Sequence, residues 1–277
     1  MPDGRQDAPP PSGGGRDAPT HPLHERRVYV APDSHRGSEL PLLPAEAHYI
    51  RHVLRLRAGE EVTAFDGAGW TARASLRSLN GKSGALAVIE ERRAPKPTHG
   101  FSVAQAILKA PAMDHAVRAC TELGASAIAG FAAERSVPRN AGASPGDARA
   151  DRWRRIALEA CRQCRREFAP EVTVLADADA RTAFFRLHDA VFVACLREDS
   201  VPLGTLLERL GPDAASRPLL VIGPEGDFTP EELDALVARG ARPCRLADAL
   251  LRAETAAVAG AAILGLHLMS RRELEKP

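Results

Sequence analysis

Hydrophobic and polar positions follow three different patterns along the chain. Residues 1–24 hold six prolines and four glycines with almost no large apolar side chains. Such a stretch buries too little surface to offset its ordering entropy, so a disordered tail is expected over residues 1–24. From Arg27-Val28-Tyr29-Val30 to about Glu91 the apolar runs are short. Glu61-Val62-Thr63-Ala64-Phe65, the turn Asp66-Gly67-Ala68-Gly69 and Trp70-Thr71-Ala72-Arg73-Ala74-Ser75-Leu76 have hairpin spacing. A second turn at Asn80-Gly81 precedes Ala85-Leu86-Ala87-Val88-Ile89, and one short helix, from about Pro44 to Leu54, interrupts the strands. The pattern predicts a small, mostly β domain over residues 25–94, and Arg92-Arg93-Ala94-Pro95-Lys96-Pro97 has the composition of a proline-broken linker.

After residue 100 the period changes. Strand-like runs at Phe101–Leu108, Ala125–Phe131, Val172–Leu175, Ala190–Cys195 and Pro218–Ile222 alternate with helical stretches. That alternation predicts an α/β domain with a mainly parallel sheet over residues 95–277. The best helix runs from about Asp147 to Phe168, with Trp153, Ile156, Ala157, Ala160, Cys161 and Cys164 on one stripe. Seven arginines stand against Asp151 and Glu159 between Arg149 and Arg166. Periodicity alone leaves open whether this basic surface is a solvated face or a phosphate contact.

Composition sets bounds on these elements. The 277 residues are 44% hydrophobic and 26% charged, which excludes a wholly disordered or fibrous chain and suits one large domain or two modest ones. The longest weakly polar run, Ala256 to Met269, is broken by His267 and is shorter than the ~20 apolar residues of a membrane span. No apolar segment follows the first methionine. A soluble, cytoplasmic protein with no membrane partner is expected. A net charge of +1 and a pI of about 7.8 give no global nucleic-acid footprint. Yet 33 of the 37 cationic side chains are arginine, the lysines being Lys82, Lys96, Lys109 and Lys276. Mutational bias accounts for this, as does a use of arginine for bidentate phosphate and base recognition.

The five cysteines are odd in number and scattered, which fits reduced thiols. Cys161 and Cys164 form a C-x-x-C without a second pair and lie on the apolar stripe of a predicted helix, so packing roles are expected. His48 and His52 are spaced i, i+4 but lack a third ligand, and no metal is expected. Gly13-Gly14-Gly15-Arg16-Asp17-Ala18 has no strand before it and no helix after it, which removes the dinucleotide reading. The chain carries no P-loop or GxSxG motif, so NTPase and α/β-hydrolase readings are poor as well.

Two segments concentrate the chemistry. A buried strand ends in Ile222-Gly223-Pro224-Glu225-Gly226, after which Thr229, Pro230 and Glu232 form the start signals of a helix. Ligands sit beyond strand ends in open α/β sheets, and glycines there let backbone approach closely; a tight structural turn has the same composition. The second segment, Leu246-Ala247-Asp248-Ala249-Leu250-Leu251-Arg252-Ala253-Glu254-Thr255-Ala256, places Arg252 and Glu254 at the mouth of an apolar helix. Charges there suit ligand orientation or a subunit contact, or simply a favourable acid in a first helical turn.

Gly223-Pro224-Glu225-Gly226, Leu246 and Leu251-Arg252-x-Glu254-Thr255-Ala256 together resemble the RsmE-type 16S rRNA uracil-N3 methyltransferases of the SPOUT superfamily. Thr121-Glu122-Leu123-Gly124, Glu134-Arg135-Ser136 and Trp153…Glu159-Ala160-x-x-Gln163…Arg166 also match family signatures. Upstream, Glu46-Ala47-His48, Val53-Leu54-Arg55, Gly59 and Phe65-Asp66-Gly67 are similar to its N-terminal part. The resemblance runs from about Arg27 to the C-terminus. It implies a C-terminal SPOUT-type trefoil-knotted α/β domain with a smaller N-terminal PUA-like β-barrel domain. It further implies S-adenosyl-L-methionine as cofactor, a homodimer, and action on 16S rRNA of the small ribosomal subunit.

On the same resemblance, Leu196, Ile222, Gly223, Pro224, Glu225, Gly226, Leu246, Ala247, Leu251, Arg252 and Thr255 are the cofactor-binding candidates. Arg252 and Glu254 are the catalytic candidates, with Glu225 or Glu254 accepting the N3 proton. Arg51, His52, Arg55, Gln163 and Arg166 are the RNA-contact candidates. The chain departs from the family in having Ala247 for Gly, Ala249 for Arg, Ala253 for Thr and Ala119 where Lys is frequent. Two other readings stay open: a SPOUT enzyme methylating another RNA position such as a ribose 2′-hydroxyl, and a non-catalytic RNA-binding SPOUT protein.

Overall fold

The structure, a computed structural model, describes residues 26–34, 37–136, 146–210 and 216–274. The tail expected over residues 1–24 lies outside them. The first elements are β1 (Arg27–Tyr29), β2 (Glu39–Pro41), α1 (Pro44–Tyr49), β3 (Glu61–Phe65), β4 (Trp70–Asn80) and β5 (Ser83–Arg93). They form a sheet of order β1-β3-β4-β5-β2 in which β1 and β3 run parallel and the other pairs antiparallel. Val28, Val30, Leu40, Ile50, Ala64, Ala74 and Leu86 are fully enclosed in its core.

Three details depart from the sequence pattern. β2 escaped it because three residues with a single buried side chain, Leu40, show no alternation. β5 runs on to Arg93, which pairs with Trp70, so Arg92 and Arg93 belong to the ladder and not to the linker. The short helix is α1 followed by a π-helical turn at Ile50–Leu54, ended by Arg55 in the left-handed region at φ 53°. No ladder joins β1 to β2 among the described residues, so hydrogen bonds do not close the sheet there.

The chain continues through β6 (Ser102–Ala106), α2 (Ala110–Glu122), β7 (Ala127–Phe131), α3 (Gly146–Cys164), β8 (Glu171–Leu175) and α4 (Ala178–Phe185). Then follow β9 (Ala190–Ala194), β10 (Val201–Pro202), α5 (Leu203–Arg209), β11 (Pro218–Ile222), α6 (Pro230–Ala238), β12 (Arg242–Arg245) and α7 (Ala253–Leu274). All seven strands are parallel, in the order β10-β12-β9-β11-β6-β7-β8. Strand β11 shows why both faces are covered. Leu220 and Ile222 join the core under α2, α3, α5 and α7, whereas Leu219 and Val221 join the core under α4 and α6. A strand buried on both sides reads as a continuous apolar run. β10 and β12 are short and contain proline or arginine, which hid them.

α3 ends at Cys164, where Arg165 takes φ 63°, so Arg166 and Phe168 leave the helix that the periodicity extended to Phe168. α7 is 22 residues long, longer than the apolar run suggested, and has the length and apolarity of a membrane span. One face nevertheless belongs to the core. Ala257, Ala261 and Leu264 are wholly buried, and a Cβ on Gly260 would lie 2.0 Å from Leu220 Cδ2. Glycine is what allows α7 to pack this closely on β11.

The two sheets meet along the C-terminal half of α3. The Gly69 amide donates to Glu167 O at 3.0 Å and the Ala169 amide to Gly67 O at 2.8 Å, which docks the β3–β4 turn on the segment after α3. Nearby, Arg162 Nη2 donates to Glu46 Oε1 at 2.5 Å, with both side chains 8% exposed, and the guanidinium lies 4.1 Å from the Tyr49 ring centroid. Burial pushes the Glu46 carboxyl above the usual carboxylate range, against the opposing pull of Arg162 and its hydrogen bond. The contribution of Glu46 to stability is therefore fullest below the unfolded value, near pH 4, and is lost as pH rises through the folded value. The unfolding temperature of the wild type minus that of Glu46→Gln is expected to fall as pH rises through this window. A difference that grows with pH would show that the attraction of Arg162 outweighs desolvation.

Candidate active site at the strand ends

The carboxyl ends of β12, β9 and β11 lie side by side, and the segments leaving them wall a cavity of about 770 Å³. This is where an open parallel sheet binds its ligands. β9 supplies Leu196, which is exposed at the rim, and β11 supplies Ile222, Gly223, Pro224, Glu225 and Gly226. The segment after β12 supplies Leu246, Ala247, Leu251 and Arg252, and Glu254 enters from the first turn of α7. Residues widely separated in sequence thus line one cavity. Thr255 differs, since it is exposed on α7 and does not line the cavity.

The turn after β11 is held from both sides. Gln105 Nε2, buried in β6, donates to Gly223 O at 3.0 Å and turns that carbonyl inward. The Asp227 amide donates to Pro224 O at 3.0 Å, and Asp227 adopts φ 61° while its Oδ1 accepts from the Phe228 amide. Thr229 and Glu232 then form the expected capping box of α6, and Glu232 Oε1 also accepts from the Glu134 amide at 2.8 Å. The turn is therefore preorganised by its own helix and by two neighbouring segments.

Two kinds of charge face the cavity. Glu225, Asp227 and Glu254 bring carboxylates; Lys109, Arg245 and Arg252 bring cations. Arg245 is engaged, donating to Ser200 O at 3.0 Å and standing 3.8 Å from Asp248. Lys109, Pro111 and Ala112, which follow β6, went unnoticed in the sequence. The strand-end rule places Lys109 at the end of the Phe101–Leu108 run, but only the pairing of β6 with β11 brings that end to the cavity.

The RNA-contact candidates divide. Arg51, His52 and Arg55 are exposed on the π-helical turn, where the His52 ring lies 4.3 Å from that of His48 and Arg51 Nη2 donates to Leu79 O at 3.1 Å. π-Helical turns are frequent at functional sites. Gln163 is exposed on α3. Arg166 is half-buried and donates to Thr121 O at 2.6 Å and Ala125 O at 2.9 Å, so it ties the end of α2 to the segment after α3. Burial pushes the Cys120 and Cys161 thiols up to about 12, which leaves them protonated and unreactive; Cys164 is half-buried. Among the described residues no three His, Cys, Asp or Glu side chains cluster as metal ligands.

Residues 95–265 match the RNA methyltransferase domain family and residues 43–90 the RNA methyltransferase PUA domain family, so fold and site define a two-part chain of the RNA methyltransferase class. Ribosomal RNA small subunit methyltransferase E of Synechocystis sp. is 30% identical over 83% of this chain and 74% of its own length. The protein of the same description from Mycobacterium tuberculosis is 31% identical over 80% of this chain and 84% of its own. The crystal structure of ribosomal RNA small subunit methyltransferase E from Neisseria gonorrhoeae bound to S-adenosyl methionine superposes with a TM-score of 0.73. It is 24% identical, and the match covers 88% of this chain and 98% of that one. The chain belongs to the ribosomal RNA small subunit methyltransferase E family.

Proposed function

We propose that this protein uses S-adenosyl-L-methionine to methylate N3 of one uridine in the 16S rRNA of the small ribosomal subunit. The cavity at the ends of β9, β11 and β12 carries the reading, because it gathers ten of the eleven cofactor candidates in one place. Its 770 Å³ volume lies in the range of small-molecule sites. Leu196, Ile222, Leu246 and Leu251 offer apolar contact to an adenine, and Glu225 and Glu254 offer carboxylates to a cationic amine and sulfonium. The chemistry of the residues present therefore fits the group. The bound cofactor would supply an electrophilic methyl carbon.

The chain's own residues have three tasks. The rigid Gly223–Gly226 turn orients by fixed backbone groups, and positioning of this kind is worth ~7–11 kcal/mol of barrier. A carboxylate, Glu225 or Glu254, takes the proton that N3 carries at neutral pH. Arg252 holds a uracil oxygen as charge develops, because a guanidinium donates hydrogen bonds and does not act as a base. The exposed Arg51, His52 and Arg55 and the exposed Gln163 on α3 hold the RNA, whose target base must leave its stack.

The N-terminal unit, residues 25–94, serves the RNA, and residues 95–277, with a trefoil-knotted path through the cavity-forming strands, serve the transfer. A homodimer belongs to the same reading. Leu250 at the cavity is 80% exposed, and Ala262, Leu266 and Met269 form a separate exposed apolar strip along the outer face of α7. Contiguous exposed apolar surface of this kind marks an interaction face.

One specific observation favours the non-catalytic reading: the three departures Ala247, Ala249 and Ala253 all line the cavity. Incubation with labelled S-adenosyl-L-methionine and small subunits lacking the modification separates the two. A single N3-methyluridine in the 16S rRNA is expected. Cofactor binding without incorporation would move the target to another RNA or position, and absence of both would favour the non-catalytic protein.

A further inference from the structure

The cavity extends past the strands that the cofactor reading uses. In the sheet order, β6 is the neighbour of β11 on the side away from β9 and β12. Lys109, Pro111 and Ala112 wall the cavity from the end of β6, and the carboxylate of Glu225 stands beside them. The Lys109 amide donates to Glu225 Oε1 at 3.3 Å, and Lys109 O accepts from the Met113 amide at 3.0 Å in the first turn of α2. The backbone of Lys109 is thus fixed between α2 and the Gly223–Gly226 turn. Its side chain is exposed and makes no hydrogen bond or ion pair among the described residues, unlike that of Arg245. A free lysine here is also compositionally unusual, since only four of the chain's 37 cations are lysine.

We infer that Lys109 is a catalytic residue of the transfer: its ammonium contacts one of the two carbonyl oxygens that flank uracil N3, while Arg252 serves the other. This rests on the methyltransferase reading of the same cavity. The chemistry calls for a pair of cations. When N3 gives up its proton, the negative charge spreads onto O2 and O4, on opposite sides of the reacting nitrogen. The proton goes to a carboxylate of the cleft. N3 then forms its bond to the methyl carbon as the carbon–sulfur bond breaks, and sulfur keeps the electron pair. A single guanidinium at one wall neutralises one of the two oxygens. The second cation must come from another wall, and Lys109 and Arg252 reach the cavity from different segments, one after β6 and one before α7. An ammonium on a flexible stem is a compact point charge suited to one carbonyl oxygen.

The test compares wild type, Lys109→Gln and Lys109→Arg as full-length proteins. Single-turnover methylation of small subunits is measured beside S-adenosyl-L-methionine affinity by calorimetry. Lys109→Gln is expected to lose ~10²-fold in the methylation rate, the cost of removing one charge-stabilising donor. Cofactor affinity is expected to stay within a few-fold, and Lys109→Arg to recover most of the rate. Small subunits containing 5-fluorouracil, whose N3 is more acidic, are expected to narrow the gap between Lys109→Gln and wild type, which a merely structural role would not do. An unchanged rate in Lys109→Gln, or a loss explained by cofactor affinity, overturns the role of Lys109 while leaving the methyltransferase reading intact. A wild type that binds cofactor yet methylates no uridine overturns both.

Discussion

Arg252→Ala is expected to lower the rate of methyl transfer by about 10²–10³-fold with little change in cofactor affinity. Arg252 lies at the last bend before α7, where its carbonyl accepts from the Ala256 amide at 2.8 Å, so its backbone is set by the helix start. The guanidinium reaches the cavity and has no ion-pair partner among the described residues. Its charge is therefore available to a ligand without first breaking an internal contact. A donor that acts on developing charge is worth more in the transition state than in the ground state, so its removal falls on kcat. Steady-state kinetics over a range of RNA concentrations decide the matter. If kcat held and only KM rose, Arg252 would bind substrate and transition state equally, and the assignment would be wrong.

Trp153→Ala is expected to destabilise the fold by roughly 3–5 kcal/mol, the cost typical of emptying a large aromatic site in a core. The indole is 4% exposed and packs on Gly130 of β7, where a Cβ would lie 2.5 Å from the ring. The fit between a missing side chain and a large one explains both residues. Because the backbone under Gly130 cannot rise to fill the space, most of the vacated volume remains as a cavity. In thermal unfolding this corresponds to a drop of roughly 10 °C for a domain of this size. α3 also carries Arg162, and the Arg166 that follows it clamps α2. Looser packing of α3 is thus expected to weaken RNA methylation before cofactor binding. Trp153→Phe, which refills much of the space, should recover the larger part of the stability. Equal stability of the alanine variant and the wild type would mean that the site collapses freely, contrary to the close packing described.

The candidate site was legible in the chain to an unusual degree because its residues announce themselves locally. Gly223-Pro224-Glu225-Gly226 follows a run of five apolar residues, and Thr229-Pro230-x-Glu232 marks the next helix. Strand end, turn and cap follow from sequence-local physics. Lys109 carried no such mark. It follows an apolar run like many surface lysines, and only the pairing of β6 with β11 brings it to the cavity. Arg166 shows the opposite case. On a continued helix it looked like part of a basic face, but the left-handed Arg165 turns the chain, and the Arg166 guanidinium donates to carbonyls at the end of α2. Glu46 is one residue of a motif in the sequence, and only the junction of the two sheets buries it against Arg162.

Side-chain pattern alone predicts the alternation of strand and helix and the predominance of parallel pairing after residue 100, and it marks the two candidate segments that the family resemblance then singles out, since each depends on neighbours within a few residues. Strand order, the length of β5, the existence of β2, β10 and β12, and the partners of Arg162, Arg166 and Lys109 are decided by the tertiary structure. A strand's place in a sheet is chosen by which buried faces fit together across large sequence separations, and a cation's role by what that packing leaves within reach. Lys109 faces an open cavity and Arg166 faces carbonyls for that reason, although the chain writes both as a cation at the edge of an apolar segment.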